Sequence, residues 1–149
     1  MAQFISMNML AGFPGMLTRG MYDCTIEAKA NDAAAPVQAY GGLVKFNSTY
    51  DAVTPITAGS DAVLGFVVRE ASEVDNSGAI DNFNLVSVLK RGYVAVAAPV
   101  GETIKAGDPV YLKAADGSIT ASSSSATALS GAVFMGPARD GLVEIAYNI

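Results

Sequence analysis

Turn formers recur along this chain at intervals of ~8 to 12 residues, and almost no stretch of helical length escapes them. Between the clusters "TAGSD", "DNSGAIDN", "APVGE", "AGDP", "ADGS" and "ARDG" lie short runs rich in β-branched and apolar residues. They are Met21–Ala28, Pro36–Phe46, Ala62–Glu70, Asn84–Lys90, Gly92–Ala98, Pro109–Ala114, Gly131–Gly136 and Leu142–Asn148. A helix of about eleven residues needs apolar side chains at i, i+3, i+4 and i+7 with no Gly or Pro among them. Only "ASSSSATALSGAV" comes near, weakly, and its Ser and Thr content favours a loop or a single turn. Short strands separated by turn signals predict an all-β sandwich or barrel. A chain of 149 residues makes one such domain, long enough to bury a core without disulfide or metal.

Within the strands, patterning separates two environments. In "YVAVAAPV" both faces are apolar or small, which predicts a strand buried on both sides or packed in an interface; in "VYLKA" Tyr111 and Lys113 alternate with Val110 and Leu112, which predicts a half-exposed one. The acids and glycines around "VYLKA" read as turn chemistry. Asp116-Gly117 supplies the positive φ of a tight hairpin, Gly107 can take the same region, and Pro109 can open a strand where its missing N–H does no harm. Ser122–Ser125 is expected to be an exposed connection.

The first twenty residues differ from the rest. Five of the six methionines fall within residues 1–22, and Phe4, Ile5, Met7, Met9, Leu10, Phe13, Pro14, Met16 and Leu17 form an apolar segment without strand or helix register. Such a segment needs a cover. It is expected to be an extended N-terminal arm, residues 1–20, that docks on a neighbouring subunit through those nine residues, with residues 21–149 as the domain proper; an arm lying back over its own core is the other reading. No positive region precedes the apolar stretch, Arg19 being the first basic residue, and Gly12, Pro14 and Gly15 interrupt it, so it is not expected to act as a signal peptide. No later window reaches the ~18 apolar residues of a membrane span, and no membrane partner is expected.

The chemistry available is limited. There is no histidine, and no motif pairs carboxylates or places a nucleophile beside a base, so no enzyme activity is expected. Cys24 is the single cysteine, which forbids an internal disulfide and leaves no zinc set. Asp108 and Asp116 lie either side of a strand and do not make a calcium loop, and neither a metal nor a cofactor is expected. Net charge is −5 with the nine basic residues scattered, apart from Lys90-Arg91, which speaks against nucleic acid. Only 15% of residues are charged, against an average of roughly 25%. So little charge fits either a surface partly covered by a partner or a chain of small side chains.

Three stretches, "AGFPGML" (Ala11–Leu17), Arg91–Thr120 and Gly131–Ile149, resemble the structural cement, or capsid decoration, proteins of tailed phages. The shared elements are Pro14-Gly15-Met16; Gly92, Val94 and Val96; Ala106–Tyr111; Asp116, Gly117 and Thr120; Gly131–Phe134; and Gly141–Val143 with Ile145. The resemblance implies a jelly-roll-like β-barrel or sandwich on the outer surface of an icosahedral head, present in the host cytoplasm during assembly. It implies as partners the major capsid protein and the protein itself, as a homo-dimer or homo-trimer, with many modest contacts adding by avidity. Edge strands near Gly92–Ala98, or the closing strand, are expected to be available for sheet extension between subunits. Two alternatives stay open: a tail or baseplate β-module of a virion, and a lipoyl- or biotinyl-type carrier domain. The second is suggested by "VGETIKAGDPVYL", although Lys113 lies before the hairpin tip where such a carrier needs its lysine.

Overall fold

A computed structural model of the chain describes residues 12–69, 80 and 85–149. Among these residues a 3-10 turn, Met21–Asp23, precedes nine strands. They are β1 (Thr25–Ala30), β2 (Leu43–Phe46), β3 (Val53–Pro55), β4 (Gly65–Val68), β5 (Leu85–Ala97), β6 (Pro109–Lys113), β7 (Ile119–Thr120), β8 (Ala126–Phe134) and β9 (Leu142–Tyr147). The fold is all-β, as the turn spacing predicts. All named strand pairs are antiparallel, in the order β3-β2-β4-β5-β9-β8-β6-β7, with β1 also paired to β5.

The organising element is β5. Its first half, Leu85–Arg91, lies between β1 and β4, and its second half, Gly92–Ala97, pairs with β9. The sequence reading divides this stretch into two runs at Arg91-Gly92; instead the strand runs unbroken through 13 residues. The pairing with β1 skips Lys90, and Gly92, at φ 143°, is paired with Tyr147, so partners hold the strand on both sides of the expected break.

β5 contributes to two hydrophobic clusters, and its first half feeds both of them through the two faces of the strand. In the larger, Phe66, Val68 and Leu89 meet Val94, Val96, Val110, Leu112, Phe134, Val143, Ile145 and Tyr147. The Phe66 and Tyr147 rings meet edge to face at 5.3 Å, a favoured aromatic geometry. In the smaller, Val44, Val67 and Val88, alternating with the first set along their strands, meet Val37, Val53 and Val86. A parallel bridge from Asn31 to Val53 draws the end of β1 toward β3 and curls these strands around the smaller cluster. Both faces of β4 are therefore covered, and all four of its residues are buried.

Several expected boundaries are corrected. Of Pro36–Phe46 only Leu43–Phe46 is strand; upstream, the Asn31 side chain donates to the Val37 carbonyl at 3.1 Å and accepts from its N–H at 2.8 Å, holding a loop. "ATALSGAVF", which overlaps the weak helical match, is strand throughout, because its backbone pairs with β6 on one side and β9 on the other. Ser122–Ser125 is a largely exposed connection, as expected. The burial of β6, with Val110 and Leu112 inside and Pro109 and Lys113 outside, follows the expected alternation.

One loop carries a pH prediction. Asp61 accepts the N–H groups of Thr57 at 2.8 Å and Ala58 at 3.0 Å and pairs with Lys45 at 2.9 Å. Led by the Thr57 bond, these donors lower its pKa to about 2. Since the folded value lies below the unfolded one, near ~3.9, the stabilisation is present above about pH 4 and is lost as pH falls toward 2. Thermal midpoints of the native protein and Asp61→Asn should therefore differ at pH 6 and converge between about pH 4 and 2. A difference that stays constant over that window would overturn the assignment.

Candidate interaction surfaces

The expected partner-binding residues divide in two. Phe4, Ile5, Met7, Met9 and Leu10 lie outside the described residues; Phe13, Pro14, Met16 and Leu17 lie against the chain's own body. Pro14 and Gly15 form the centre of a β-turn in which the Met16 N–H reaches the Phe13 carbonyl at 3.1 Å, with Gly15 at φ 84° as a type II turn requires. Gly15 then donates to the Ala95 carbonyl at 2.8 Å, and Ala95 donates back to Met16 at 2.9 Å. Thr18 donates to Tyr93 at 3.2 Å, Leu17 bridges Val94, and the Gly15 carbonyl accepts the Arg69 N–H at 2.9 Å just past β4. Residues 15–18 thus flank β5 on the side away from β9.

Side chains lock the same segment. The Arg69 guanidinium lies 5.1 Å from the Phe13 ring centroid and 5.6 Å from that of Tyr40. Arg19 meets Glu144 through Nε at 3.1 Å and Nη2 at 3.4 Å and stacks 4.3 Å over Tyr93; the Thr18 hydroxyl donates to the same carboxylate. Sequence reasoning found neither cluster, because partners far apart in the chain, 125 positions for Arg19 and Glu144, leave no spacing signal.

The expected sheet-extension edges are corrected by this geometry. Gly92–Ala97 has β9 on one side and residues 15–18 on the other, while the closing strand β9 lies between β5 and β8. Neither is an edge.

What the surface offers instead is apolar relief. Val100 is 98% exposed at the turn after β5, beside a groove of about 500 Å³ lined by Tyr40, Leu43, Ala97, Pro99 and Ile119. A second hollow, of about 320 Å³, lies over Ala95 and Leu142 with Arg139 and Glu144 on its walls.

The acids of the β6–β7 region serve the backbone. Asp108 accepts from Lys105 N–H at 2.8 Å, and Asp116 from Ser118 N–H at 2.9 Å, where Gly117 sits at φ 72° in the hairpin turn. The Ser118 bond leads in holding Asp116 below the usual carboxylate range. Glu102, which the sequence does not single out, accepts from the Thr120 hydroxyl at 2.7 Å and the Ala121 N–H at 2.8 Å, fastening the 99–104 loop to β7. Lys113 ends β6, and its backbone closes the hairpin with Gly117 and Ser118; it is not at the tip where a carrier domain would need a lysine. Among the described residues no three His, Cys, Asp or Glu side chains are gathered to hold a metal ion.

Carboxylates spent on turns, an N-terminal element clamped between two strands, and an apolar groove on the surface define a structural β module built to pack. The family model for structural cement proteins (E217 gp24/Pam3 gp6) matches residues 1–148, and the chain belongs to that family. A chain of the solved structure "The capsid of Myoviridae Phage XM1" superposes with a TM-score of 0.72 over 95% of both chains at 18% identity, a likeness of fold. No curated protein matches the sequence.

Proposed function

We propose that this protein decorates the outer surface of the head and stabilises contacts between neighbouring major capsid protein subunits, acting as a small homo-oligomer without catalysing a reaction. The observation that carries the reading is the clamped turn at Phe13–Met16. It fixes the root of an uncharged apolar segment to both β4 and β5, so that force on the segment passes into the sheet. In this reading Phe4, Ile5, Met7, Met9 and Leu10, with Phe13 at the root, meet a neighbouring subunit, and Pro14, Met16 and Leu17 hold that root in place. Many such contacts across a lattice add by avidity.

Deleting residues 1–11 tests this while leaving the turn and its strand contacts intact. The shortened protein should keep its native circular dichroism and melting cooperativity, yet occupy purified undecorated heads at least about tenfold more weakly. Full occupancy by the shortened protein would remove the arm from the contact. Copy number adds a second check: a lattice component is present in numbers comparable to the major capsid protein, whereas a far smaller number assigns the protein to the tail.

A further inference from the structure

The apolar groove beside Val100 and the chain's first residues meet at one wall. Tyr40, Gly41 and Gly42 form that wall. The root of the arm lies against the same residues: a Cβ at Gly15 would come within 2.7 Å of the Tyr40 Cβ, and one at Gly41 within 3.0 Å of the Pro14 Cβ. The eleven residues that precede Gly12 therefore start next to the groove. They include Phe4, Ile5, Met7, Met9 and Leu10 and carry no charged side chain, while Lys113 is the one charged side chain among the groove's lining residues. Eleven residues reach up to about 36 Å when extended, enough to run from Tyr40 past Val100 without help from another molecule.

We propose that in the free protein this groove holds residues 1–11 of the same chain. Five large apolar side chains in water would make an adhesive patch on a protein with few surface charges, and the groove offers apolar walls within reach. Methionine suits such a site because its unbranched side chain adapts to an irregular wall. The groove and the neighbour on the head then compete for the same side chains. Docking in the groove keeps free copies from sticking to one another, and release commits a copy to the lattice.

The test uses the full chain with Cys24→Ala, Met7→Cys and Val100→Cys, oxidised at low protein concentration. Val100 is a fully exposed turn residue, so its replacement leaves the fold alone. The expected product is a disulfide-linked species of monomer mass, formed at least about tenfold faster than from a control pairing Met7→Cys with Tyr50→Cys, an exposed turn outside the groove. A product of dimer mass would mean that a second copy's arm fills the groove, and a rate equal to the control would mean that the arm does not enter it; either result overturns the proposal. Because no heads are present, failure here leaves the decoration reading to be judged on its own experiment.

Discussion

Replacing Phe134 by alanine is expected to lower stability by ~3–5 kcal/mol and the melting temperature by on the order of 10 °C. The ring is fully buried in the larger cluster, at the end of β8. Truncation removes its transfer free energy and leaves a cavity that the surrounding strands, each paired on both sides, cannot collapse to fill. The backbone of Phe134 also accepts from Gly107 at 2.8 Å and donates to Asp108 at 2.9 Å, so loosening this point frees the 105–108 turn as well. Folded domains stand only ~5–15 kcal/mol above their unfolded state, so the variant would lose a large part of its margin. Urea unfolding followed by circular dichroism measures this directly, and a loss under about 1 kcal/mol would show that the packing around the ring is not as tight as its burial indicates.

Gly65→Ala is expected to be comparably damaging although it adds a single methyl group. A Cβ on Gly65 would lie 2.1 Å from the Leu89 carbonyl oxygen and 2.9 Å from Val88 Cγ1. The first of these is backbone, so no rotamer change relieves it; β4 and β5 must separate where the two hydrophobic clusters adjoin. Overpacking of well-ordered cores costs ~1–3 kcal/mol, and a backbone clash at a strand pair belongs at or above the top of that range. Gly42→Ala is the matched control, since its Cβ would meet nothing closer than the Ala39 carbonyl oxygen at 3.8 Å. The expected outcome is a much lower urea midpoint for Gly65→Ala and nearly native behaviour for Gly42→Ala. Equal midpoints would contradict the close approach of β4 to β5.

What could be read from the sequence follows the range of the forces involved. Asp116-Gly117 and Gly107-Asp108 form their turns through atoms a few residues apart, so residue types alone announce them. The alternation in β6 is equally local. Arg91-Gly92 looks like a break because glycine ends many strands, but β1, β9 and residues 15–18 hold β5 together across it. Ala126–Phe134 looks weakly helical because alanine and serine carry little strand signal, and its state is set by β6 and β9. Of the interaction surface, the apolar character of the arm is plain from residue types. The clamp at its root depends on Arg69 between Phe13 and Tyr40 and on Glu144 beneath Arg19, contacts created only by the fold.

A strand shared by both clusters also has a mechanical meaning. β5 is already extended, spanning about 40 Å at the usual rise per residue, so a pull along it finds almost no slack in the backbone that joins its β1- and β4-paired half to its β9-paired half. Tension applied near β1 and tension applied near β9 meet in one covalent chain, with hydrogen bonds along its sides loaded in shear and shared among several residues. A protein wired in this way behaves as a short tether with a paired piece of sheet at each end, stiff along one axis.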